Sequence, residues 1–191
     1  MLFEVSREAM VSSLGEENVF LAPSGSLGSK QPESHAARIL LTTGIPTGVF
    51  QPQKRMPSGR FPLVNEKIDL THHENVPADC GSWPVFGWLP QTHLAFAPET
   101  GVVHGFSENG GPVQALHTDM SSLAYLTFAL QRLLKEFPWS DDEDEEEADF
   151  ERLAEALHGI RATVEERDPL PFGGDSVWPA VLDDMEAGMW S

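Results

Sequence analysis

Four short apolar runs, residues 85–89, 91–97, 102–106 and 113–117, follow one another with only turn-forming residues between them. Pro98-Glu99-Thr100-Gly101 and Glu108-Asn109-Gly110-Gly111 are the clearest of these reversals, so the stretch predicts an antiparallel meander. The chain then changes period. Thr118 and Asp119 offer N-cap oxygens, and Leu123, Leu126, Leu130, Leu133, Leu134 and Phe137 recur at the three- and four-residue spacing that buries one helical face. Pro138 ends that helix. A sheet finished by an amphipathic helix needs no reactive group, and residues 84–137 contain no catalytic motif.

The flanks supply further elements. Residues 2–5 read as a strand or extended piece, and a short helix from about Ser6 to Leu14 has Ser6 as its cap and Gly15 as its stop. A second helix is expected over residues 33–43, with Pro32 in its first turn, Ala36, Ile39 and Leu40 buried, and Gly44 and Pro46 closing it. Residues 45–50 read as extended, 51–60 as a polar loop, and 61–70 as one or two strands. Beyond the meander, Phe150, Leu153, Leu157, Ile160 and Val164 mark a helix over about 148–165. Trp178, Val181, Leu182 and Met185 mark a last one over about 176–187, capped by Ser176.

The 191 residues suffice for one well-buried domain. The formal charge is −18, unevenly placed: residues 1–138 carry 13 acids and 9 bases, residues 139–191 carry 17 acids and 3 bases. Such a surface repels nucleic acid and anionic lipid and favours a basic protein partner. Lys54, Arg55 and Arg60 form only a small basic cluster. The single cysteine, Cys80, implies no internal disulfide, and no basic-then-apolar leader or membrane-length apolar run is visible, so a cytoplasmic protein is expected.

Catalytic and metal readings find little support. The loop 22–30 lacks the spacing of a phosphate-binding loop before Lys30, and Ser26 lacks the preceding glycine of a nucleophile elbow. Adjacent His72 and His73 point to opposite sides of an extended chain and make a poor chelating pair. His93, His104 and His117 fall in three different strands and could converge as a zinc set, or lie on a wetter sheet face. Asp69, Asp79 and Asp119 belong to no local triad motif, and Cys80 has no basic neighbour to activate it. No cofactor and no catalytic residue is expected.

Binding has positive support. Trp83, Trp88 and Trp139 flank the meander and its helix as aromatic residues of the kind that anchor interfaces, and the run Asp141, Asp142, Glu143, Asp144, Glu145, Glu146, Glu147 could steer a basic partner or serve as a solvated linker. The candidate partner-binding residues are therefore Trp88, Trp139, Asp141, Asp142, Glu143 and Asp144.

Several short patterns, in order along residues 38–190, carry a resemblance. They are Leu40-Leu41-Thr42-Thr43-Gly44-Ile45-Pro46, Val85-Phe86-Gly87-Trp88, the hairpin from Ala95 through Gly101 to Val103, and Ser121-Ser122-Leu123 opening a helix; Asp168-Pro169, Trp178 and Gly188-Met189-Trp190 come last. Together they resemble the SUKH superfamily, the Syd/Smi/Knr-like proteins, and in particular its bacterial immunity-protein group. Leu89-Pro90-Gln91, in place of a more polar turn, and the seven-acid run depart from that pattern. The resemblance implies a single SUKH-like α+β domain over 1–191, a mostly antiparallel sheet with flanking helices. On this chain it would carry an acidic loop at about 139–148 and a C-terminal helical extension at about 148–191. It also implies a non-enzymatic antidote that binds a cognate polymorphic toxin, a nuclease or a deaminase. A regulatory or scaffold module of the same fold is the alternative, and the oligomeric state stays open.

Overall fold

In the computed structural model, which describes residues 1–28, 34–140 and 146–189, the N-terminal third forms short elements that brace the sheet. Helix α1 (Arg7–Leu14) begins where the Ser6 hydroxyl accepts the Ala9 N–H at 3.3 Å. Strand β1 (Val19–Phe20) is followed by α2 (His35–Arg38), capped by Ser34, which widens into a π turn over Ile39–Thr43. The expected Pro32 lies outside the described residues. Gly44 releases the chain at φ +93, and a Cβ there would stand 2.8 Å from the Phe20 carbonyl, so only glycine lets β2 (Ile45–Pro46) pair antiparallel with β1. Residues 2–5 form no strand.

Two sequence expectations fail here for local reasons. The loop expected at 51–60 starts as an edge strand, β3 (Gln51–Pro52), where a proline is tolerated because its missing N–H faces outward. The strands expected in 61–70 are instead a one-turn helix, α3 (Val64–Lys67). The Glu66 carboxylate accepts the Leu63 N–H at 2.8 Å and both Arg60 nitrogens at 2.7 and 2.6 Å, which curls the chain. A two-residue strand, β4 (His73–Glu74), follows.

The meander forms as expected, with β5 (Val85–Leu89), β6 (Thr92–Phe96), β7 (Val103–Ser107), a short β8 (Gly111–Pro112) and β9 (Gln114–His117). The main sheet runs β3-β5-β6-β7-β9, all antiparallel, while β4 and β8 form a separate parallel pair. A bulge between Val85 and Gly87 sets two residues against Leu94 and turns Phe86 to the same side.

Helix α4 (Met120–Glu136) is capped by Asp119, which accepts the Ser121 and Ser122 N–H groups at 2.9 and 3.1 Å. Helices α5 (Glu146–Glu165) and α6 (Val177–Glu186) complete the fold, an α+β single domain. One face of the sheet, through Phe86, Leu94, Phe96 and Leu116, shares a core with Leu123, Leu130, Leu153, Leu157, Trp178 and Leu182 of the three helices. Each such side chain contributes about 1.5–3 kcal/mol by leaving water. The other face packs Val85, Ala95 and Phe106 against Val64, Cys80 and Trp83.

Candidate functional site

A fully buried polar cluster joins a histidine, a serine and an aspartate, the side chains of a hydrolytic triad, in a different geometry. The Trp178 indole N–H donates to His117 Nε2 at 2.9 Å. An indole can only donate, so Nε2 is the acceptor and the proton sits on Nδ1, which donates to Ser122 Oγ at 2.9 Å. Asp168 lies 4.0 Å from that same Nδ1 and accepts the Thr118 N–H at 2.9 Å and the Thr118 hydroxyl at 2.8 Å. Serine and aspartate thus lie on the same side of the ring, with only the serine within hydrogen-bond distance, and an indole closes the other nitrogen, so this cluster forms no nucleophile–base–orienter relay. Burial pushes His117 down to about 3, against the pull of Asp168 and Asp119. The cluster ties β9, α4 and α6 together.

The three strand histidines do not converge. His117 faces the helical core, whereas His93 and His104 lie on the opposite sheet face, where Trp88 stacks on His93 at 6.1 Å and Trp83 leans on His104 at 4.6 Å. Burial lowers the pKa of both rings. Among the described residues no group of three or more His, Cys, Asp or Glu is placed to hold a metal ion. His72 is exposed beside Asp69, while His73 packs edge-on against Phe106 at 5.7 Å. Burial raises the Cys80 thiol, with Asp79 adding to the shift, so this group is not an activated nucleophile. Ser26 donates to the Pro23 carbonyl at 2.6 Å within its own turn, and Lys30 lies outside the described residues.

A groove of 430 Å³ runs between the sheet and the start of α6, past Thr92, Gly105, Leu116, Val177 and Ala180, with Asp175 its one charged side chain. Among the described residues that line it there is no pair of titratable groups with which to run acid–base chemistry. The small basic cluster is also reduced, because Arg60 is spent on Glu66.

Of the three tryptophans that flank the meander and its helix, Trp88 and Trp139 are open to solvent, at 39% and 48%, whereas Trp83 is buried in the core of the second sheet face and cannot anchor a partner. The two open ones are not brought together. Trp88 pairs across from His93, on the sheet face turned away from α4, beside a 210 Å³ hollow lined by Val49, Gln51 and Pro90. Trp139 follows α4, with its ring edge-to-face on Phe137 at 4.7 Å and Phe150 at 5.6 Å. Asp141, Asp142, Glu143 and Asp144 lie outside the described residues. Sequence reasoning missed the neighbours of Trp139. Phe150 reads as part of a buried helical stripe and is only half-buried, and nothing in the local pattern around Met189 signals its 67% exposure.

Among the described residues no helix is long and apolar enough to cross a membrane. Compared with known families, residues 5–184 match the family described as SUKH-4 immunity protein. No curated protein and no solved structure matches the chain.

Proposed function

The chain belongs to the SUKH-4 immunity protein family, and from that membership we propose that it protects a bacterial cell by binding one cognate protein toxin and blocking it, without catalysis. The observation that carries this reading is the extent of the family match, residues 5–184, which takes in the sheet and helices α1 to α5 entire. The charge pattern supports a toxin that acts on nucleic acid, a nuclease or a deaminase. Such an enzyme needs a positive cleft, and a chain with 17 acids against 3 bases over residues 139–191 complements one.

Binding alone performs the task. The inhibitor meets the toxin in the cytoplasm, steered by opposite charge, and covers the surface its substrate needs. No metal, cofactor or nucleic acid takes part. Co-expression tests this directly: a toxin encoded by the neighbouring gene should kill cells when produced alone and spare them when this chain is present. Continued killing, together with no complex between the purified proteins at low salt, would sink the proposal.

A further inference from the structure

Three parts of the chain that are distant in sequence meet at one corner and leave apolar surface open there. Trp139, beyond the end of α4, is propped by Phe137 and by Phe150 from the first turns of α5. The next residue fixes the backbone: the Ser140 N–H donates at 2.5 Å to Asp149, a buried carboxylate also held by Arg152. Just past the end of α6, Gly188 lies against the Phe150 ring, where a Cβ would come within 2.9 Å, and the exposed Met189 follows it directly in the chain. An indole held this firmly yet 48% exposed loses little freedom when something covers it.

We propose that this corner, Trp139 with Phe150 and Met189, is the surface on which the toxin docks, and that a basic face of the toxin lays an arginine across the Trp139 indole. The inference rests on the immunity reading and names its contact surface. Charge complementarity selects the occupant. Glu147, one turn before Phe150, and Glu151 are both exposed. The three arginines of residues 139–191 are already engaged: Arg152 with Asp149, Arg161 with Glu165 and the Phe172 ring, and Arg167 over the Phe3 ring. A neutral partner leaves the exposed acids of this helix start without a counter-charge. A guanidinium laid on the indole has a carboxylate to pair with in Glu147, which shares the helical side of Phe150. Trp88 is a weaker seat, since His93 already covers one of its faces at an interplanar angle of 8°.

The test measures binding of the purified protein to the toxin domain encoded beside its gene, produced in a catalytically silenced form, with each variant checked by thermal melting. Trp139→Ala should weaken binding about tenfold or more, chiefly through faster dissociation, and Met189→Ala about threefold. Trp139→Phe should keep part of the affinity, whereas Trp139→Leu, apolar but without a ring face, should lose as much as alanine. Trp88→Ala should stay within about twofold of wild type. If the wild-type protein binds and Trp139→Ala and Met189→Ala bind equally well, the docking corner is wrong while the immunity reading stands. Wild-type-like binding by Trp139→Leu removes the stacked arginine. Failure of the wild-type protein to bind overturns the immunity reading and this inference with it. Should Trp139→Ala unfold, Met189→Ala and Trp139→Phe decide.

Discussion

His117 makes the fold sensitive to acid above the range in which ordinary carboxylates titrate. Its folded pKa, about 3, lies below the ordinary value of 6.5. As pH falls through 6.5 the unfolded chain takes up a proton that the folded chain refuses, so stability drops, and the loss ends only when the folded ring also protonates near 3. His35, His93 and His104, also lowered by burial, act in the same direction. The melting temperature should therefore fall from pH 7.5 to pH 5. His117→Gln should lower it at pH 7.5 and flatten the profile, and an unchanged slope in that variant would show that the acid sensitivity resides elsewhere. Gly87 sets a second residue-scale constraint. A Cβ there would run into the Phe50 ring and stand 2.9 Å from the Gln51 carbonyl, so Gly87→Ala should cost about 1–3 kcal/mol in urea unfolding. A midpoint equal to wild type would mean that β3 can move aside freely.

At the scale of elements, α6 depends on one side chain used twice. Trp178 fills the core at 0% exposure and donates the hydrogen bond that fixes the His117 tautomer. Trp178→Phe keeps a ring in the core but leaves Nε2 of a buried imidazole unpaired, which should cost about 1–3 kcal/mol. Trp178→Ala adds a cavity and should cost about 3–5 kcal/mol, both read from denaturant midpoints. Equal losses in the two variants would remove the hydrogen bond from the account. Helices α4, α5 and α6 were legible in the sequence because a repeating apolar face and a capping Asp119 or Ser176 are local signals. The meander was legible from its turn residues. Helix α3 was not, since its turn depends on the Arg60–Glu66 pair, six residues apart, overriding a β-like apolar pattern. The site was half legible: Trp88 and Trp139 can be picked out by residue type, but buried Trp83 has the same type, and exposure depends on which tertiary neighbours arrive. The meeting of Phe150 in α5 with Gly188, in the turn that follows α6, is a tertiary contact that no local pattern encodes.

For the whole molecule, the separation of charge from core predicts how it should associate. The acids are concentrated after residue 138, where 17 oppose 3 bases, while the first 138 residues are nearly balanced. Charge spread over a surface acts at a distance and is screened over about 10 Å at 0.1 M salt, whereas a packed aromatic contact is short-ranged and hardly screened. Association with a basic toxin should therefore slow as salt rises, while dissociation, set by contacts such as those around Trp139, should change little. Replacing Asp141, Asp142, Glu143 and Asp144 by their amides should cut the on-rate about tenfold at low salt, and the two curves should converge near 1 M. Stopped-flow or surface-binding kinetics across that salt range separate the two terms. An on-rate indifferent to salt would mean that the acidic run does not steer, and that the charge serves solubility alone. If instead the amide variant changes only the off-rate, the run is itself a contact surface, and the docking area extends from the Trp139 corner into it.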